Sequence, residues 1–129
     1  MEFIDPAIER LAIDVSRAQD DTAVASMTVG ADMLNGHGVC HGGYLFLLAD
    51  TTMDYATNAS GDGTSFAVHA EIDFLLPAHE GDHLVATGTI RHRWGRSALL
   101  DAEIVNETAG RTIAHFRGRT RRAGRGSGS

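Results

Sequence analysis

The stretch Asn35-Gly36-His37-Gly38-Val39-Cys40-His41-Gly42-Gly43, running straight into Tyr44-Leu45-Phe46-Leu47-Leu48-Ala49-Asp50, constrains this chain more than any other. The turn formers end at Gly43 and an apolar, helix-compatible run begins, so a glycine-rich loop here breaks into a helix. Leu45 to Ala49 cover more than one side of such a helix, which must therefore be enclosed by other elements. One carboxylate, Asp50, interrupts the run. Burying an acid without a partner raises its pKa or costs stability, so Asp50 is either satisfied by neighbours or kept reactive.

The remaining pattern is that of strands. Phe3 to Leu11 reads as a short helix with Asp5 as N-cap and Pro6 in the first turn. Ile13–Arg17 and Thr22–Val29 read as a hairpin around Gln19-Asp20-Asp21, and Ala31–Leu34 as one helical turn. The central helix is predicted over Gly42 to about Asn58, roughly 25 Å long, with Ser60-Gly61-Asp62-Gly63 as its stop. Phe66, Val68, Ala70, Ile72 and Phe74 then alternate with polar or small residues, giving the clearest strand signal. Leu84–Trp94, Ala98–Asn106 and Thr112–Thr120 are three further strands joined by short turns. A one-sided antiparallel sheet needs a cover and an apolar helix needs a wrapping. The expected fold is α+β, a hot-dog arrangement in which about six antiparallel strands curl around one long helix. Such a sheet leaves its edge strands unpaired, and pairing of edges between two copies predicts a homodimer. A dimer of dimers is expected as the larger assembly, though edge pairing does not itself decide whether dimers pair further.

A chain of 129 residues is long enough for one domain, expected over residues 1–121, with a Gly/Ser/Arg-rich tail over 122–129 expected to be disordered. The start lacks a signal-peptide pattern and no apolar run reaches membrane-spanning length, so a cytoplasmic protein without membrane contact is expected. The lone cysteine, Cys40, allows no internal disulfide. The formal charge of −6 hides an asymmetry: residues 1–90 carry Arg10 and Arg17 against 14 acids, whereas nine arginines follow, and there is no lysine. Arginine grips phosphate as a fork, so the C-terminal strands could meet a phosphate-bearing ligand or present a solvated face. The acidic balance and the lack of a binding motif argue against nucleic acid. His37, Cys40 and His41 lack a second ligand pair at zinc spacing, so no metal is expected, and Cys40 reads better as a small buried residue than as a nucleophile. Trp94, His92 and Tyr44 are candidates for an acyl pocket or for core.

Met33-Leu34-Asn35-Gly36-His37, Cys40-His41-Gly42-Gly43, Leu48-Ala49-Asp50-Thr51, Ile72-Asp73-Phe74-Leu75-Leu76-Pro77 and Glu103-Ile104-Val105-Asn106 together resemble the phenylacetyl-CoA thioesterases of phenylacetate degradation, in register from about Leu11 to Gly118. The resemblance implies a hot-dog enzyme that cleaves aryl-acetyl or hydroxyphenylacetyl thioesters of coenzyme A. It makes Asp50 the catalytic carboxylate, Gly42 the backbone donor to the thioester oxygen and Asn35 a group orienting carbonyl or water, with His41 beside the donor. Gly43, Thr51 and Arg96 are the expected substrate contacts, Arg96 through a coenzyme A phosphate. No cofactor is expected, coenzyme A being part of the substrate. A non-catalytic acyl-CoA binder and a hot-dog dehydratase using His41 with Asp50 are the alternatives.

Spacing adds one point independently. Gly42 and Asp50 stand eight residues apart, roughly 12 Å along one helix. A carboxylate on so short a stem cannot reach a carbonyl held at its own helix's start, so if both act on one atom they come from different subunits.

Overall fold

In the computed structural model, residues 5–59 and 63–123 are described. The expectations for Met1–Ile4, for the helix stop at Ser60–Asp62 and for the tail over 124–129 lie outside them. Helix α1 spans Pro6–Arg10, and Asp5 caps it as expected, its Oδ1 accepting from the N–H groups of Ala7 and Ile8 at 3.1 and 3.3 Å. Strands β1 (Asp14–Gln19) and β2 (Thr22–Thr28) form the hairpin. Its turn is two residues, Asp20 and Asp21, both at positive φ (54° and 62°), the left-handed pair whose twist matches that of the strands it joins. A single 3₁₀ turn at Ala31–Met33 leads into the glycine loop, and helix α2 runs Gly42–Asn58.

Strands β3 (Ser65–Phe74), β4 (His83–Trp94), β5 (Ser97–Asn106) and β6 (Arg111–Arg122) complete one antiparallel sheet of order β1-β2-β4-β5-β6-β3. Strand β6 runs further than the predicted Thr120: Arg122 pairs with Ser65, so it belongs to the domain and not to a tail. The sheet curls around α2, which touches all six strands. Ala23, Ala25 and Met27 of β2, Leu84, Ala86 and Ile90 of β4, Ala98, Leu100, Ala102 and Ile104 of β5, and Ala114 and Phe116 of β6 face the helix and are buried, as the alternation required. Among the described residues no helix is long and apolar enough to cross a membrane.

Two features shape the sheet around α2. Gly88 and Gly118 lie where the helix crosses the sheet; a Cβ on Gly88 would stand 2.6 Å from the Thr52 hydroxyl, and one on Gly118 would collide with the Met53 sulfur and the Phe116 ring. The helix can lie this low only because both positions lack side chains.

The second feature is a bulge in β3 at Val68, between the pairs Ala67–Thr120 and His69–Arg119. It breaks the predicted alternation. Ala70, Ile72 and Phe74 pair with the inward Gly118, Phe116 and Ala114, but Phe66 pairs with the exposed Arg121 and stands on the outer face. Strand β3 is a sheet edge, and Phe66, Val68, Phe74, Leu75 and Leu76 along it are all exposed. The strongest strand signal in the sequence thus marks an uncovered apolar edge.

Valine is ordinarily a better strand residue than glycine. At Gly118 the collision with Met53 reverses that sign: Gly118→Val is expected to destabilise the fold by about 1–3 kcal/mol, read as a lower denaturation midpoint in urea.

Candidate active site

Helix α2 begins without a side-chain cap. Its N-cap, His41, is exposed and makes no capping bond, while its own N–H donates to the Met33 carbonyl at 2.8 Å. The N–H groups of Gly42 and Gly43 find no acceptor among the described residues. They point along the positive end of the helix dipole, a preorganised donor pair for an oxyanion. The Phe74 ring lies over Gly42, where a Cβ would come within 3.0 Å of its edge, so glycine keeps this opening close to the edge strand.

The loop before the helix is built by Asn35. Its Oδ1 accepts from the N–H of His37 at 2.8 Å and of Val39 at 3.3 Å, and its own N–H donates to the Val39 carbonyl. Only the amide NH2 of Asn35 remains for another group. Cys40 is buried, donates to the His41 carbonyl, and burial pushes its thiol up to about 11, which keeps it inert near neutral pH. Among the described residues no group of three His, Cys, Asp or Glu side chains is gathered at metal-binding distance.

Two turns along α2, Asp50 is half-buried and has neither a hydrogen bond nor an ion pair among the described residues. Burial first, then the charges of Asp54 and Asp5, raise its pKa above the ordinary carboxylate value. It lines a cavity of about 110 Å³ with Met53, Asp54, Ser65, Phe66, Ala67 and Thr120, against the start of the edge strand. Asp54, one turn further on, is half-buried as well.

The remaining candidates fall in different places. Gly43 is exposed at the helix start. Thr51 is not brought to the cavity: it is buried and its hydroxyl donates to the Leu47 carbonyl at 2.7 Å. Trp94 and His92 stand exposed at the end of β4, away from the helix, whereas Tyr44 packs on the core. Arg96 sits in the two-residue β4–β5 turn and lines a second cavity of about 350 Å³ with Arg93, Arg122, Asp21, Thr57 and Ser65. Arg93 is paired with Asp21 at 2.8 Å, while Arg96 and Arg122 have no acid partner among the described residues. Ser65 belongs to both cavities, so the arginine pocket adjoins the one holding Asp50.

Sequence reasoning offered the C-terminal arginines for a phosphate only as a group and did not single out Arg93, Arg122 or Ser65, which strand register brings beside Arg96. It also overlooked Asn58, a buried amide in the last turn of α2 that clamps Ser65.

Residues 37–113 match the pattern of the thioesterase superfamily. The chain is 45% identical to the acyl-coenzyme A thioesterase PaaI of Escherichia coli K12 over 93% of its own length and 84% of that protein's. The structure of the E. coli PaaI protein from the phenylacetic acid degradation operon superposes with a TM-score of 0.88, covering 93% of this chain and 86% of that one. A mutant of the phenylacetic acid degradation protein PaaI of Thermus thermophilus superposes at 0.86 with 32% identity, over 92% of this chain and 100% of that one.

An acid whose pKa is raised in the folded state favours folding when protonated, and this contribution is lost as pH rises through the folded pKa. Asn mimics the protonated form. Asp50→Asn is therefore expected to melt at a higher temperature than the parent at neutral pH, with the two converging below about pH 4, where the free acid is itself protonated, as measured by thermal unfolding across that range.

Proposed function

The chain belongs to the thioesterase superfamily, and from that premise we propose that it hydrolyses acyl-CoA thioesters, specifically aryl-acetyl thioesters such as phenylacetyl- or hydroxyphenylacetyl-CoA, to the free acid and coenzyme A. The observation that carries this reading is Asp50: a half-buried carboxylate, unpartnered among the described residues and with a raised pKa, beside an open edge strand.

Hydrolysis needs a nucleophile or base, a stabiliser for the tetrahedral oxyanion and a grip on the coenzyme. Asp50 acts at the carbonyl carbon, either by attacking it or by taking the proton of an attacking water; a raised pKa makes it a stronger base. The thioester oxygen, as it gains charge, accepts from the N–H groups of Gly42 and Gly43. The Asn35 NH2 orients the carbonyl or the water, and His41 stands at the rim. As the intermediate collapses, the C–S bond breaks and the coenzyme leaves as a thiolate: on the water route it takes up the proton that Asp50 removed, and on the attack route it leaves a mixed anhydride of Asp50, which a water hydrolyses to release the acid and restore Asp50, a proton from that water passing to the thiolate. Arg96, with Arg122 and the Asp21-held Arg93, receives the coenzyme's phosphates in the adjoining cavity. No metal or cofactor takes part in this scheme.

The catalytic groups are supplied by two copies. Strand β3 runs back along α2, its Ser65 bonded to Asn58 at the helix end and its Phe74 above Gly42 at the helix start. Antiparallel pairing of two β3 edges about a twofold axis sets the partner's Phe74 beside Ser65–Ala67. That carries the opening of the partner's helix toward Asp50. The exposed Phe66, Val68, Phe74, Leu75 and Leu76 would be covered by the same pairing. A homodimer, or a dimer of dimers, is the active form.

Purified protein with phenylacetyl-CoA and a free-thiol reagent is expected to release coenzyme A, with Asp50→Asn lowering kcat by ~10²–10⁴-fold. Saturable binding without thiol release would reduce the protein to a binder. Mixing Asp50→Asn with Gly42→Val subunits is expected to restore part of the activity through hybrid dimers, and a mixture as inactive as its components would refute the shared site.

A further inference from the structure

We propose that Asp54 is a positioning residue for Asp50: a second carboxylate, clamped by Asn58 against the start of β3, that sets from the next helical turn the pH range in which Asp50 can work as base or nucleophile. Its catalytic part rests on the hydrolase reading above; its electrostatic part does not.

Four residues separate the two acids, so they share one face of α2, and both line the same cavity of about 110 Å³. Asp54 is held there. Asn58, 3% exposed, donates through Nδ2 to Asp54 Oδ1 at 3.0 Å, to the Asp54 carbonyl at 2.9 Å and to the Ser65 carbonyl at 3.3 Å, while its Oδ1 accepts from the Ser65 N–H at 2.8 Å. This ties the last turn of the helix to the first residue of the edge strand. It engages one oxygen of Asp54 and leaves the other unbonded among the described residues.

No cation among the described residues offsets the pair. Strand β3 contributes Ser65, Phe66 and Ala67 to the cavity and β6 contributes Thr120, none of them charged. From α1, Asp5 adds a third negative charge that acts on both acids, and Tyr55 on α2 itself responds to Asp5, Asp54 and Glu9. Arg96 and Arg122 lie in the cavity beyond Ser65. Two carboxylates so placed resist ionising together and titrate as a coupled pair. A base is most effective with its pKa near the working pH, and the like charge on Asp54 moves Asp50 in that direction. Burial raises the pKa of Asp54 as well, and the Asn58 hydrogen bond works against that rise; Asp50 has no such bond among the described residues, which favours Asp54 as the member that ionises first.

The experiment is a ¹³C-carboxyl NMR titration of the full chain and of Asp54→Asn and Asp54→Ala, paired with the pH dependence of kcat/KM on phenylacetyl-CoA. Asp54→Asn keeps the shape and the acceptor for Asn58; Asp54→Ala removes both. In both variants the Asp50 midpoint is expected to fall, and the acid limb of kcat/KM to move to lower pH with it. Activity on the acid limb, relative to the plateau, should rise several-fold, and Asp54→Glu should return the limb toward that of the parent. A structural role alone would lower kcat at every pH and leave the limb in place. An Asp50 midpoint unchanged in folded variants overturns the proposal. A midpoint that moves in a protein that cleaves no thioester leaves the coupling intact and refutes the hydrolase reading instead.

Discussion

The contact on which the arrangement depends is the low crossing of α2 over the sheet at Gly88 and Gly118. A side chain at either position would lift the helix off β4 and β6 and out of the curl. With the helix down, its start falls under Phe74 and its end against Ser65, so the edge strand β3 lies alongside it. The half-buried Asp50 and Asp54 of the helix are left beside the start of that edge strand. The open groups of the molecule therefore lie on one seam.

In the proposed mechanism the chemistry is divided along the helix for electrostatic reasons. Free N–H groups belong at the helix start, where the dipole favours developing negative charge. An acid kept there would fill the site meant for the oxyanion. Placed two turns on, Asp50 loses that stabilisation and gains burial and a like-charged neighbour, both of which make it more basic. The same charges weigh against the folded state, a compromise common where activity depends on an uncompensated group.

Much of this was legible in the residues. The helix bounds Gly42–Asn58, the hairpin turn at Asp20-Asp21 and the inward faces of β4, β5 and β6 follow from turn chemistry and periodicity, which local sequence encodes directly. The hot-dog topology followed from matching one enclosed helix to a one-sided sheet. The reversal of Phe66 was not legible, because a bulge needs only one unpaired residue and Val68 is an ordinary strand residue. Burial of Thr51 and the outward placement of Trp94 and His92 were hidden for a related reason: periodicity tells which residues share a face, not what lies opposite it. The Arg93, Arg96 and Arg122 group needed the register of β4, β5 and β6, a long-range property that no single stretch records. Asn58 read as the end of a helix, yet it also fastens the following strand.

The bulge at Val68 has a further consequence. An extended, apolar, unpaired edge is the shape from which fibrils grow, one strand adding to the next without limit. Here the ladder is interrupted midway and the strand is bent, so a flat neighbour cannot run along its full length. A kinked border of this kind accommodates a mate bent in the same way, and once that place is taken no fresh border remains on that side. Under the pairing proposed above, association would stop once that place is filled, and the greasy rim would be kept without becoming a hazard of precipitation.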